Sequence, residues 1–294
     1  MTNPNPDPDV DESRPASPAR SFDAEERCLF GVTVHAVTLE RALEICADAV
    51  QRDGLLRIGV LNAAKVVKLR RRPDLREALL ACDLMLADGV AVVWASRLLG
   101  RPLPERVAGI DLFTNLLGAA GERGESVFIL GAKQEVLDRV LEIIQERYPD
   151  VTVAGARHGY FSDEDEAAIA ESIREAGADY LFLGMTTPKK EQFIGRWGAM
   201  MGVKVCHGVG GSLDVMAGKV KRAPDHWQKL GLEWLYRVCQ EPRRLWKRYL
   251  VTNTLFLGLL VRELFAKSPP YVTRERDHAG EPPEARPGAQ FAEQ

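Results

Sequence analysis

Short apolar runs recur along the chain and mostly end in small or polar residues. They are "LLRIGVLNA" (55–63), "CDLMLADG" (82–89), "SVFILGA" (126–132), "VTVAGA" (151–156), "DYLFLGM" (179–185) and "VKVCHGVGG" (203–211). Each reads as a strand. The stretches between them carry apolar residues at helical spacing. In Lys133 to Tyr148, the side chains of Val136, Val140, Ile143 and Ile144 share a face, and Asp163 to Ala176 has the same character with Ser162 placed to cap it. Strands alternating with helices predict an α/β fold, a Rossmann-like parallel sheet flanked by helices. Such sheets bind ligands beyond the carboxyl ends of their strands. Asn62, Asp88, Gly131, Gly184 and the Gly208–Gly211 run all fall there.

The pattern changes after Val220. From Lys219 to Arg248 there are nine Lys or Arg against three Asp or Glu, with Trp227, Trp234, Tyr236, Trp246 and Tyr249 interleaved. Pro242 separates two helical patterns. The second places Arg243, Arg244, Lys247 and Arg248 at its start and Leu255, Phe256, Leu259, Leu260 and Phe265 further along. A basic, aromatic and apolar helix of this kind can lie in a membrane interface, or it can pack on the core or on another subunit. The expected organisation is a disordered tail (1–23), an α/β catalytic core (24–220), a basic C-terminal helical appendage (221–267) and a second disordered tail (268–294). Met1 to Arg20 holds five prolines and no apolar stretch, so it does not read as a signal peptide. The longest apolar tract, Leu250 to Val261, is broken by Thr252, Asn253 and Thr254. It falls short of the roughly 20 apolar residues of a spanning helix, and the expectation is a protein that is not integral to the membrane.

Composition adds less. An apolar fraction of 46% over 294 residues supports a sizeable core. A formal net charge of −3 argues against a general nucleic-acid binder. Because 219–248 is so basic, the remainder must be acidic. The five cysteines are scattered, with no CxxC pair, which points to a reduced compartment and buried thiols.

Several residues are candidates for chemistry. Asp88, at a strand end, is either the N-cap of the next helix or a general base that removes a proton from an attacking hydroxyl. Asn62 is a turn residue or an amide that orients a substrate hydroxyl or a base. Arg106 follows the proline-bearing "RPLPE" loop. It is a solvated loop arginine or a partner for a pyrophosphate leaving group, which needs paired cationic donors. "GVGGSLDVMAG" lacks both the dinucleotide fingerprint and the P-loop ending; the glycines Gly208, Gly210 and Gly211 could still bring backbone N–H groups to a nucleotide phosphate. Asp214 would pair with a ribose or cap a helix. "DEDE" (163–166) sits at a helix start, where acids suit the macrodipole, so it is assigned no metal, and the five histidines show no ligand spacing.

The order of these blocks carries more than any one of them. "LNAAKVV", "ADGVAVVWASRLLGRPLPERVAGIDL", "FILGA", "YPDVTVAGARHGYF", "LFLGMTTPKKE", "HGVGGSLDVMAGKVKRAP" and "GLEWLYRVCQEPRRLWKRY" together resemble the WecB/TagA/CpsF family of bacterial glycosyltransferases, from about Val32 to Leu260. The resemblance implies an inverting transfer without cofactor. The sugar of a UDP-sugar, a hexosamine or related hexose, moves to a sugar on a polyprenyl diphosphate carrier, in teichoic acid or exopolysaccharide synthesis. It implies Asp88 as catalytic base, Asn62 as substrate-positioning amide and Arg106 as phosphate-binding residue. Arg237 and Arg244 would be arginines of a membrane-targeting appendage, with Lys247 or Arg248 near a third. It further implies peripheral attachment to the cytoplasmic face of an anionic membrane, with homo-oligomers plausible and no nucleic-acid partner. Two positions depart from the family pattern: a glutamine expected to touch substrate is Lys190, and a threonine is Val60. The competing readings are a nucleotide-sugar epimerase or oxidoreductase, for which no fingerprint or acid–base pair is present, and a non-catalytic membrane-associated nucleotide-sugar binder.

Overall fold

The computed structural model describes residues 22–229 and 231–266, without the side chains of Asp225, Lys229 and Arg244. An antiparallel hairpin, β1 (Glu26–Leu29) and β2 (Val32–His35), precedes six strands that form one parallel sheet. These are β3 (Leu56–Leu61), β4 (Leu84–Ala87), β5 (Ser126–Gly131), β6 (Thr152–Arg157), β7 (Tyr180–Gly184) and β8 (Val205–His207), in spatial order β4-β3-β8-β7-β5-β6. The six runs expected as strands are these six, most of them shorter than the run and β6 shifted one residue on, to Arg157. The hairpin was not anticipated, since its strands are only four residues long. It covers the outer edge of β4, where the Met85 N–H donates to His35 Nδ1 at 3.0 Å, and so blunts an otherwise open sheet edge.

Alternation along the strands sorts the core into layers. Ile58 and Val60 of β3, Val127 and Ile129 of β5, and Tyr180 and Phe182 of β7 face α1 (Leu39–Gln51), α5 (Gly109–Arg123) and α6 (Gln134–Arg147). Their neighbours Phe128, Leu130, Leu181 and Leu183 face α7 (Glu166–Ala176) and α8 (Lys189–Trp197). The β3–β4 end and the hairpin pack with α2 (Ala63–Leu69), α3 (Pro73–Leu80) and α4 (Val90–Leu98). Ser162 caps the turn before α7 in a capping box with Asp165, whose carboxylate accepts both the N–H and the hydroxyl of Ser162. That employs one acid of "DEDE" locally. At the carboxyl end of β5, Gly131 has φ +148°, and a Cβ there would lie 2.5 Å from the Gly184 backbone. Only glycine lets the two strand ends approach so closely.

The C-terminal segment forms α9 (Ser212–Met216), α10 (Asp225–Lys229), α11 (Glu233–Gln240) and α12 (Pro242–Phe265). Pro242 opens α12, as its ring and missing N–H favour. The apolar residues of this helix divide between two sides. Phe256 and Leu260 are buried in the cluster with Leu29, Phe30 and Leu69, and the Phe256 and Phe30 rings lie 5.2 Å apart. Leu255, Leu257, Val261, Leu264 and Phe265 are exposed on the other side, Phe265 to 84%. Buried Glu263 fastens the helix, accepting the Phe30 N–H at 3.2 Å and pairing with Arg101 at 3.4 Å. Phe30 is a non-glycine turn residue at φ +54°, a conformation that carries a steric cost. α12 therefore braces the hairpin turn as well as filling a core. No helix among the described residues is long and apolar enough to cross a membrane.

Phe22 and Asp23 of the expected first tail belong to the folded part, the Phe22 ring 5.4 Å from that of His35 and the Asp23 carbonyl accepting from Arg41 at 3.4 Å; the rest of that tail, 1–21, and the second tail lie outside the described residues. Because α12 is core on one side only, Phe256→Ala should lower unfolding stability by about 3 kcal/mol. Phe265→Ala should change it by less than about 0.5 kcal/mol. Chemical denaturation of the two variants measures the contrast, and equal effects would contradict the docking of this helix.

Candidate functional site

β3 and β4 run parallel with Leu61 beside Ala87. The next residue of each strand, Asn62 and Asp88, therefore emerges side by side at the carboxyl edge. Asn62 is the N-cap of α2: its Oδ1 accepts the Lys65 N–H at 3.1 Å, and its Nδ2 donates to Asp88 Oδ2 at 3.3 Å. The other carboxylate oxygen, Oδ1, accepts the Gly109 N–H at 3.0 Å. Gly109 begins α5, whose own cap position, Ala108, has no side-chain acceptor to offer. Asp88 thus does not cap the helix that follows it. It supplies the anion at the N-terminus of a different helix, where the macrodipole favours negative charge. Each carboxylate oxygen keeps a second lone pair for a ligand.

His207 supports the same peptide from behind. It ends β8, is fully buried, and its Nε2 lies 3.0 Å from the Gly109 carbonyl oxygen. A carbonyl only accepts, so Nε2 carries the hydrogen. Burial pushes the imidazole pKa down to about 4, which leaves it neutral at physiological pH. Gly109 is held on both sides, its C=O by His207 and its N–H by Asp88.

Arg106 lies in the loop before α5, next to Val107, whose N–H donates to Ala87 O at 2.9 Å. The arginine is therefore three residues from Gly109, one of the two groups that hold Asp88. Its guanidinium pairs with Glu233 Oε2 at 3.1 Å, and Arg237 donates to Glu233 Oε1 at 3.2 Å. One carboxylate on α11 thus sits between the expected phosphate-binding arginine, Arg106, and an expected arginine of the appendage, Arg237. A second tie joins the same regions: Arg222 makes a two-point pair with Asp111 at 2.6 and 2.8 Å. Arg248 is exposed, its guanidinium 5.3 Å from the Tyr249 ring centre, and it does not join the Glu233 group. The Arg244 side chain lies outside the described residues.

Lys190 is not an open ligand-facing residue. It is buried, and its ammonium donates to the Thr187 hydroxyl at 2.7 Å and pairs with Glu191 Oε1 at 2.9 Å. Lys65 reaches the same Glu191 oxygen at 3.0 Å. Burial lowers the Lys190 pKa to about 8, and the nearby Lys65 charge adds to this. Burial also pushes the Glu191 carboxyl up, but the two ammonium groups outweigh it and hold the carboxyl below its usual range. These residues line a void of about 20 Å³, room for one water and not for a sugar. Gly208 is packed onto this group, since a Cβ there would lie 2.8 Å from Lys190 Cε. The glycine run accordingly serves packing more than anion binding. The N–H groups of Val209 and Gly210 both donate to the Leu183 carbonyl, at 3.0 and 3.1 Å, so the Gly210 N–H is not free for a phosphate. The neighbouring Gly211 leads into α9, which is only five residues long. Asp214 lies inside that helix, with Lys219 at 3.8 Å.

Sequence reasoning missed Lys65, Gly109, Glu191, His207 and Glu233. Glu233 stands within the distinctive "GLEW" block and could have been singled out. The others gain meaning from pairings between distant parts of the chain, 21 residues apart for Gly109–Asp88, 98 for His207–Gly109 and 126 for Lys65–Glu191.

The chain is 34% identical over 209 residues to an N-acetylglucosaminyldiphosphoundecaprenol N-acetyl-beta-D-mannosaminyltransferase of Bacillus spizizenii, covering 71% of this chain and 80% of the relative. It is 37% identical over 205 residues to the protein of the same name from Bacillus subtilis, covering 70% and 78%. The profile of the glycosyl transferase WecG/TagA/CpsF family matches residues 27–269. That span takes in the whole sheet, the Asn62–Asp88 pair, the Arg106 loop and α12. With its core and its C-terminal helices matched as one unit, the chain belongs to the glycosyl transferase WecG/TagA/CpsF family.

Proposed function

We propose that this glycosyltransferase moves a sugar, a hexosamine or related hexose, from UDP to a sugar carried on a polyprenyl diphosphate, with inversion at the anomeric carbon. The product would enter a cell-surface polysaccharide such as teichoic acid or exopolysaccharide. The acceptor class is supported by the two Bacillus relatives, whose names specify a diphosphoundecaprenol-linked N-acetylglucosamine. The single observation that carries the mechanism is the Asp88 carboxylate, fixed by Asn62 and the Gly109 N–H at the carboxyl edge of the sheet.

In this reading Asp88 accepts the proton of an acceptor hydroxyl as that oxygen bonds to C1 of the donor sugar. The C1–O bond to the diphosphate breaks, and UDP leaves with the bonding electrons. The Asn62 amide, already within reach of Asp88, orients the base. Arg106 and Arg237 compensate the charge that develops on the leaving diphosphate, the electrostatic contribution that matters most where charge appears during reaction. Glu233 balances these guanidinium groups until the diphosphate arrives. An epimerase or oxidoreductase reading lacks a second acid–base group beside Asp88 among the described residues.

The outward side of α12 supports membrane attachment. Trp246, Leu250, Leu257, Val261 and Leu264 are exposed there, with Arg243, Lys247 and Arg248 near the start of the helix. In this reading the enzyme rests on the cytoplasmic leaflet, where a lipid-linked acceptor is presented.

Asp88→Asn should cut kcat by about 10²- to 10⁴-fold, the usual worth of a positioned base, with UDP affinity within about twofold of wild type on that same account. UDP release with a short-chain prenyl diphosphate N-acetylglucosamine as acceptor measures the first and calorimetry the second; wild-type turnover in the variant would exclude Asp88 as base. For the membrane, deleting α12 is a poor test because the helix carries core residues. Paired Arg243→Glu and Lys247→Glu substitutions should instead reduce co-sedimentation with phosphatidylglycerol vesicles by at least about tenfold, at roughly 1 kcal/mol per charge near the surface. Unchanged sedimentation would remove the anchoring proposal.

A further inference from the structure

A groove of about 380 Å³ opens where the α2–α3 connection, the Thr187–Pro188 turn and α12 meet. Its lining divides by chemistry. Val67, Leu75, Val251 and Leu255 supply apolar surface, and Lys68, Arg71 and Arg72 supply positive charge. Arg72 is already paired with Asp74 through bonds of 2.9 and 2.6 Å. Among the described residues no carboxylate lies within ion-pair distance of Lys68 or Arg71, and both are exposed. The groove is thus an apolar trough that also carries two cations with no carboxylate partner among the described residues. That combination suits an amphiphile with an anionic head and a hydrocarbon tail.

Its position relates it to the catalytic edge. α2 begins at the Asn62 cap and rises about 1.5 Å per residue, so Lys68 stands about 9 Å along the axis from Asn62. α2 thus joins the Asn62–Asp88 pair to the cations of the groove. The Thr187 hydroxyl, on the groove wall, also receives the Lys190 ammonium, so the trough and the buried Lys65–Glu191–Lys190 group share a wall. On the far side, the groove residues Val251 and Leu255 continue into the exposed Leu250, Leu257 and Val261 of α12, the face proposed to meet the bilayer.

We propose that this groove is the acceptor subsite and takes an isoprenoid diphosphate, with the diphosphate against Lys68 and Arg71 and the first isoprene units along Val67, Leu75, Val251 and Leu255. The assignment rests on the reading of Asp88 as the base that receives the acceptor. It separates the two diphosphates of the reaction, the donor's at Arg106 and Arg237 and the acceptor's across α2. Helix α12 would then have three uses on three sides: core, lipid trough and membrane contact.

The test is calorimetric titration of the full chain with farnesyl diphosphate, inorganic pyrophosphate and farnesol, and separately with UDP. Farnesyl diphosphate should bind more tightly than either of its parts. The Lys68→Glu/Arg71→Glu double variant should weaken it by at least about tenfold, the expected cost of losing charge-assisted contacts. Val251→Asp, at an exposed site, should weaken farnesyl diphosphate but not pyrophosphate. UDP affinity should stay at the wild-type value in every variant, which also shows that each variant is folded. Wild-type farnesyl diphosphate binding in the double variant would overturn the proposal, as would a parallel loss of UDP binding or pyrophosphate binding as tight as that of the lipid. Failure of the parent reading is a separate result: wild type would bind farnesyl diphosphate in the groove yet transfer no sugar to a prenyl diphosphate acceptor.

Discussion

The Asp88 carboxylate is gripped at both oxygens, by the Asn62 amide and by the first N–H of α5, and much of the surrounding architecture can be read as arranging that grip. The parallel register of β3 and β4 sets Asn62 beside Asp88. The loop through Val107, bonded to Ala87, delivers the start of α5. His207, neutral because it is buried, holds Gly109 by its carbonyl so that the N–H points at the acid. A carboxylate fixed in this way cannot rotate to find its own hydrogen bonds, and each oxygen keeps a lone pair beyond the bond it already accepts. This is preorganisation of the kind that spares reorganisation during reaction.

The C-terminal helices are part of the same construction. Glu233 on α11 ties Arg106, and Arg222 ties Asp111, so the entry to α5 is pinned from outside the sheet by two ion pairs. Helix α12 fills the cluster beside the hairpin through Phe256 and Leu260 and braces the Phe30 turn through Glu263. Its opposite side remains apolar and exposed. A helix that is apolar on two sides is legible as membrane-seeking or as core-forming, and here the geometry gives one side to the core and leaves the other for a surface.

Much of this was accessible from the order of residues. The sheet was legible because runs such as "SVFILGA" are continuous, apolar and bounded by small residues, as buried parallel strands must be. Asn62 and Asp88 were legible because both end such runs. The hairpin was not, since four-residue strands with mixed burial carry little periodic signal. Nor was the burial of Lys190, which depends on Glu191 and on Lys65 from a helix some 125 positions earlier. The surroundings of the glycine run were illegible for a related reason: Gly208 packs on Lys190 and the Gly210 N–H is bonded to the Leu183 carbonyl, both from distant parts of the chain. Spacing along a chain reports strand ends well and long-range charge pairing poorly.

A crystal structure with a UDP 2-deoxy-2-fluoro sugar and a short prenyl diphosphate N-acetylglucosamine bound together examines the proton-accepting role at atomic level. The expected result is an acceptor hydroxyl within hydrogen-bond distance of Asp88, aligned opposite the departing diphosphate, with Asn62 and the Gly109 N–H still on the carboxylate. An acceptor hydroxyl directed to any other side chain, with Asp88 engaged only by the protein, would contradict it.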